Sequence, residues 1–446
     1  MSTKTRTTTS LKSLEKKAKL LDIKTDVHTV IFTSPTPEAL CASIILCRAI
    51  RRTGGRFHLS FCPPLLDIRT LIGLREAYSQ SSILFVGVDI QGKKRIKKGA
   101  GYPLFIGCTW ESGQVTDLAL GSSDLTCASA YILAQAQMET SDYELQMAST
   151  GILLQSEYKE PPIKANKEIV NRALNAGLVE KRSGYRLYGS TFLPLEEVFL
   201  YSTHPYLKGI SGSRKGCDAL LNDAEIPIPS FGEPISYLTS ENIQNLNQRF
   251  IERVDARIVT NHLLAGDFLL VKEDTASPLH TLSSIERLHA MAWARGELGS
   301  MASVLLGDRG SSLITLVDRY MTHQKEVLNS LQHIETSVSQ SDPLPDNITL
   351  PGSNSSVLTD VGRICLESHL ADTATEVIVV NDDDATEIVW SISGISMNQA
   401  LRRILAHDVN VQPTATSKRS LRFPRLEAST SQELVSILTT TGGKTH

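Results

Sequence analysis

The residues with most chemical potential gather where three short apolar runs end. Val30-Ile31-Phe32 runs into Ser34-Pro35-Thr36-Pro37-Glu38, Ile83 to Asp89 continues as Asp-Ile-Gln-Gly, and Pro103 to Ile106 meets Gly107-Cys108-Thr109. Acids collected at such an edge hold divalent cations, which activate water and stabilise charge on a phosphate. Glu38 and Asp89 are the only acids there. Two carboxylates can hold one weak ion; they cannot supply a bridged pair. Each residue also has a plain structural use: Thr36 as a helix N-cap, Glu38 as a partner of the helix dipole, Asp89 as an acceptor of backbone hydrogen bonds. Cys108 has neither histidine nor acid beside it in sequence and reads as an inert thiol. His204, alone before Pro205, reads as a packing or capping residue.

The elements needed to position this edge are legible in the first half of the chain. Val30–Phe32 reads as a buried strand and Ala39–Ile50 as a helix with Leu40, Ile44, Cys47 and Ile50 on one face. Strands at Arg56–Phe61, Ile83–Asp89 and Pro103–Ile106 alternate with a helix at Asp67–Ala77, and helices at Asp124–Met138 and Asp142–Gln155 follow. That alternation predicts a doubly wound parallel sheet, whose carboxyl edge is where such folds place their chemistry. Trp110–Ser123 reads as loop with at most a short strand. Further on, the spacing predicts a helix over Ala165–Gly177, a short strand at Tyr185–Tyr188, a long amphipathic helix over Ser240–Val259, and two helices in Leu282–Leu306 broken near Gly296–Gly299. Ser311–Thr336 reads as a long helix with the character of a strut. A smaller α/β unit closes the chain, with helices at Val357–His369, Asn398–His407 and Gln432–Thr439 and strands at Glu376–Val380 and Glu387–Ser391.

Length and composition set the bounds. At 446 residues more than one core is expected, and 41% hydrophobic with 21% charged residues is ordinary for a globular protein. The net charge of -3 gives no global attraction to nucleic acid. A local basic patch, Lys93, Lys94, Arg95, Lys97 and Lys98, is a candidate phosphate contact or a solvated helix face. Seven scattered cysteines without a CxxC pair point to buried thiols in a reducing cytoplasm. No apolar run approaches the roughly 20 residues that span a bilayer, so no membrane partner is expected. Residues 1–19, basic and without an apolar core behind them, read as a tail or a first helix. The expected division is a tail over 1–25, an α/β domain over 26–200, a helical connecting region over 201–340, a linker over 341–355 within the run SQSDPLPDNITLPGSNSS, and a C-terminal domain over 356–446.

The chain resembles the archaeal RecJ-like branch of the DHH phosphoesterases, relatives of the eukaryotic helicase subunit called cell-division-cycle protein 45. The resemblance rests on Ser202-Thr203-His204-Pro205-Tyr206 with Gly209-Ile210-Ser211-Gly212, on Ile285 to Arg309 with Gly299 and Gly307-Asp308-Arg309, and on Asp124 to Tyr131. It implies an α/β fold: a DHH-phosphoesterase-like parallel-sheet domain, a helical connecting region and a smaller C-terminal DHH-associated domain. Active members hold two manganese or magnesium ions between aspartate and histidine side chains. Carried over position by position, the first motif, HxDxDG, stands here as Ser34, Pro35, Thr36, Pro37, Glu38 and Ala39. The second motif's aspartate is Asp89, the DHH triplet falls on Gly107, Cys108 and Thr109, and the later metal-binding aspartate falls near Gln155. The glycine-rich, histidine-containing nucleic-acid motif falls within Val411–Thr416, where no GGxH remains. The expectation is therefore a protein without catalysis, metal or cofactor, acting as a cytoplasmic, nucleoid-associated scaffold with the GINS complex and the MCM helicase, and with single-stranded DNA as a further partner. The rivals are a residual single-strand exonuclease or phosphodiesterase using Glu38 and Asp89, and a regulatory partner of an active RecJ-like paralogue.

Overall fold

Val30, Ile31, Phe32, Leu84, Phe85, Val86, Phe105 and Ile106 are all buried, and strands buried on both faces belong in the middle of a parallel sheet. The computed structural model describes residues 10–21, 23, 26–91, 103–109, 119–337, 345–368, 370–372, 374–407 and 412–439. The chain divides into two compact units, residues 1–180 with 298–312, and residues 181–297 with 313–446.

The first unit opens with α1 (Leu11–Ala18), so the basic N-terminal stretch includes a helix that buries Leu11, Leu14 and Ala18. Gln137 fastens its end, donating to the Ala18 carbonyl and accepting from the Ile23 amide. Then come β1 (Thr29–Thr33), α2 (Pro37–Arg52), β2 (Phe57–Phe61), β3 (Leu65–Asp67), α3 (Ile68–Ala77), β4 (Ser82–Val86), β5 (Asp89–Gln91), β6 (Leu104–Ile106) and β7 (Ala119–Leu120). The main sheet has the order β2-β1-β4-β6-β7, with every pairing parallel. α4 (Thr126–Gln137), α5 (Asp142–Gln155) and α6 (Lys164–Asn175) follow.

Two expectations change here. The run Ile83–Asp89 is not one strand, because Gly87 turns the chain at φ +63° and Asp89 starts β5, which pairs with β3 in a separate two-stranded sheet. And α2 is buried nearly all round, not on one face: Pro37 to Cys47, then Ala49 and Ile50, are covered, since α4, α5 and the helix Leu298–Leu306 pack about it. Close packing needs small residues. A Cβ on Gly151 would stand within 3.0 Å of Cys127 Sγ and Cys41 Cβ.

Where the chain enters the second unit, β8 (Val179–Arg182) pairs with β9 (Asp267–Leu270). Between them lie α7 (Leu195–Leu200), α8 (Arg214–Asp223) and α9 (Ser240–Arg253). Tyr185–Tyr188 is irregular, with Tyr185 and Leu187 buried as core, so its apolar alternation reports packing and not a ladder. α9 stops at Arg253, because Asp255 caps a new short helix, Ala256–Ile258. α10 (Leu282–Ala294) and α11 (Leu298–Leu306) flank the expected break, and α11 belongs to the first unit.

α12 (Ser311–Ser337) is no free strut. Val327, Leu328, Leu331 and Ile334 pack with Ile348, Leu350, Val361, Ile364 and Val380 in one core. The final sheet, order β10-β11-β12-β14-β13, is built from β10 (Asn347–Thr349), β11 (Val377–Asn381), β12 (Ala385–Trp390), β13 (Thr414–Ser417) and β14 (Ser420–Pro424), with helices α13 (Leu358–Glu367), α14 (Met397–Ala406) and α15 (Ala428–Thr439). The Pro- and Ser-rich run therefore contains an edge strand, β10, anchored by buried Ile348. The hairpin β13–β14 is an addition to the expected elements.

Candidate functional site at the carboxyl edge of the parallel sheet

β1, β4 and β6 end side by side, and the turns beyond them carry the candidate residues. Ser34 is buried just after β1, with its hydroxyl 3.2 Å from that of Thr36. Thr36 Oγ1 accepts the Ala39 amide at 3.3 Å, the N-cap expected from the sequence. Glu38 is 6% exposed, and its carboxylate turns to the start of α4, where Oε1 accepts the Cys127 amide at 3.3 Å. A carboxylate at a helix N-terminus is a stable use for that charge. Cys127 Sγ donates in turn to the Glu38 carbonyl at 3.1 Å.

Asp89 is also 6% exposed. Its Oδ1 accepts the Thr109 amide at 3.0 Å, while its own amide donates to the Pro64 carbonyl at 2.9 Å. Thr109 and Ser123 place their hydroxyls 2.9 Å apart. The Ser123 carbonyl accepts both Thr126 Oγ1 at 2.9 Å and Gln155 Nε2 at 3.3 Å. Cys108 is buried against the Phe85 and Ile106 carbonyls, and burial pushes its thiol well above the usual range, with the Asp89 charge adding to the effect. It is not a poised nucleophile.

Gly107 decides what this edge can hold. Its φ is +63°, and a Cβ there would stand within 2.6 Å of Thr126 Oγ1, Cα and Cβ. At Gly87 a Cβ would stand 2.6 Å from Ala39 Cβ and 3.1 Å from Ser34 Oγ. The space that a side chain at position 107 would enter is filled by Thr126, the first residue of α4. Hydroxyls and an amide already engaged with backbone groups are also poor donors for a hard cation. Among the described residues no group of three or more His, Cys, Asp or Glu side chains is placed to hold a metal ion. The donor set among the described residues does not fit a two-metal centre.

The structure thus brings together Ser34, Thr36 and Glu38 around α4, and Asp89, Thr109 and Gln155 through Ser123. Lys93, Lys94, Arg95, Lys97 and Lys98 lie outside the described residues, as does Val411. Of the rest of that C-terminal motif, Thr414–Thr416 forms the edge strand β13, where the Ala415 carbonyl accepts Trp293 Nε1 at 2.8 Å.

The Ser202–Tyr206 pattern turns out to be a seam inside the second unit. Ser202 Oγ donates to the Pro205 carbonyl at 2.6 Å, Thr203 bonds Gln324 of α12, and Tyr206 Oη donates to Glu335 at 2.9 Å. His204 joins a charged cluster that sequence reading did not find. Arg363 donates to Asp360 Oδ1 at 2.9 Å, to Glu367 Oε2 at 2.7 Å and to His204 Nδ1, while His323 Nε2 lies 2.8 Å from Asp360 Oδ2. Burial, then the Arg287 and Arg363 charges, lower His204 to about 3, so the ring is neutral and its Nδ1 accepts. The 3.3 Å approach of Glu367 to Nδ1 is then a shared dependence on Arg363 and not an ion pair with histidine. The signal available in sequence was the spacing Asp360, Arg363, Glu367 along one helix face.

A five-stranded parallel sheet with this edge, followed through helices by a mixed five-stranded sheet, makes up a chain whose fold is similar to that of CDC45. No family model and no curated protein matches the sequence. Among solved structures, CDC45 from Entamoeba histolytica is similar with a TM-score of 0.57 and 11% identity, covering 96% of either chain. RecJ in complex with Mn2+ from Thermus thermophilus gives 0.48 at 13% identity, over 95% of this chain and 54% of that one. Exonuclease RecJ bound to manganese gives 0.44 at 13%, over 95% and 93%. At such identities the likeness to CDC45 speaks for the fold alone.

Proposed function

We propose that this chain is a RecJ-like protein without metal-dependent hydrolysis, working as a scaffold subunit in DNA replication. Its partners in this reading are the GINS complex and, with it, the MCM helicase of an archaeal-type replicative assembly. The observation that supports the loss of hydrolysis is the packing at Gly107, where Thr126 fills the place of a ligand side chain. The framework is kept while the ligand positions serve as caps and hydrogen-bond links, which is what a change from enzyme to interaction subunit leaves behind. The two surviving acids are spent on the amides of Cys127 and Thr109. The test pairs calorimetric titration of manganese with a pull-down of GINS and MCM by the full chain. Expected are no stoichiometric manganese uptake and a stable complex with GINS. Two tight manganese sites, together with nuclease activity lost in Asp89→Ala, would overturn the reading.

A further inference from the structure

A groove in the second unit has no part in the edge described above. It encloses about 200 Å³ between Tyr185, Ile235, Ile243 and Leu264, with Arg182 and Asn247 also in its lining. Its walls are made by folding. α9 turns Leu246 and Phe250 into the core and leaves Ile243 and Asn247, one turn apart, facing the opening. Ile251 follows a turn further on that face, 55% exposed, and Tyr237, beside the rim residue Ser236, is 72% exposed. Among the described residues no carboxylate pairs with Arg182. An apolar floor, apolar shoulders and one uncompensated guanidinium are thus grouped on one face.

Size and chemistry choose the occupant. The volume lies below the roughly 300 Å³ at which small-molecule sites begin, and it suits one large apolar side chain. Nucleic acid is disfavoured because Arg182 is the one cation among the described lining residues, and a nucleic-acid backbone is tracked by a run of several. Tyr185 packs edge-on against Phe199 and Phe250, and its hydroxyl donates to Asn247 Oδ1 at 2.6 Å. We propose that the groove docks an acidic segment of a partner protein, one leucine or aromatic side chain entering the cavity while a neighbouring carboxylate meets Arg182. This deepens the scaffold reading and rests on it for the partner being a protein.

The probe is a short fluorescein-labelled acidic peptide carrying one tryptophan, titrated with the full chain by fluorescence anisotropy. Arg182→Glu and Ser236→Trp alter the rim only, and circular dichroism verifies their fold. Each is expected to weaken the peptide by about tenfold. Replacing the peptide's acids by lysines should restore binding to Arg182→Glu, and replacing its tryptophan by alanine should abolish binding to the parent chain. The proposal is overturned if the parent does not bind the peptide or if both variants bind it unchanged. It is equally overturned if labelled oligodeoxythymidine occupies the groove with the same sensitivity to the variants. A failed pull-down of GINS and MCM with these peptide results intact sinks the helicase reading and leaves the groove standing; the reverse pattern removes the groove alone.

Discussion

An acid at position 107 collides with Thr126 and forces a side chain onto a backbone at φ +63°. Gly107→Asp is expected to lose about 2–4 kcal/mol in a urea melt, with no recovery on adding manganese. A variant as stable as the parent, or one stabilised by the metal, would show that the edge still accommodates a ligand. Asp267 carries a different strain. Burial raises its carboxyl to about 6, against the opposing bonds from Ser283 and Phe268. For an acid raised in the fold, the penalty is absent below the usual value near 4, grows between there and 6, and is complete above. A rise of about two pH units corresponds to about 3 kcal/mol, so Asp267→Asn should gain that much on the parent chain between pH 4 and pH 7. Equal slopes against pH would refute it. His204 works from the other side: held neutral down to about 3, it withholds a proton that the unfolded chain takes up near 6.5. Stability should fall as pH drops below 6.5, and His204→Asn should flatten that fall. Glu367 keeps 37% of its side chain exposed, so the low-pH loss from the acids of this cluster rests on Asp360, which His323 and Arg363 hold far below the usual range. At this scale the sequence shows which residue types stand at the edge, but not that Thr126 fills the place beside Gly107. That neighbour comes from another element.

Elements with strong local signals were legible. Thr36, Pro37 and Glu38 announce the start of α2, and α5 spans the expected Asp142–Gln155, its start closed by a Ser141–Glu144 capping box. The parallel sheet follows from apolar runs between helices. The hairpin β13–β14 was not legible, because Ser420–Pro424 alternates over five residues only and sits next to β12, whose Thr386 and Glu387 are polar yet buried. Those polar groups are satisfied across the sheet: Arg422 Nε meets Glu387 Oε2 at 2.9 Å, and Thr416 bonds the same carboxylate. Burial raises the Glu387 carboxyl while Arg422 opposes it. Arg422→Met should therefore cost about 3–5 kcal/mol at neutral pH and less in acid, where the carboxyl is protonated. Adding Glu387→Leu should recover most of that cost; additive penalties in thermal melts would show that the pair is not coupled.

Over the whole chain, length led to the expectation of more than one core, and no described helix is long and apolar enough to cross a membrane. What no local pattern foretold is that the first unit is completed by residues 298–312. Tyr143 Oη donates to the Leu305 carbonyl at 2.5 Å, and Arg48 Nη1 to that of Leu306 at 3.2 Å, while Arg48 Nε and Arg52 hold buried Glu144 at 3.0 and 2.7 Å. A fragment of residues 1–180 should melt below the same fragment joined by a flexible tether to residues 298–312. Equal melting temperatures would make α11 an ornament of the first unit. The same return of the chain sets a clock on biosynthesis. When residue 180 has left the ribosome, α2 still lacks the helix that packs on it, and residues 181–312 must still be translated, on the order of ten seconds of elongation. Through that interval α2 is bare along the side that α11 later covers, so the nascent chain needs either a chaperone or a slow first unit, and the second unit's opening stretch is made before the first can close.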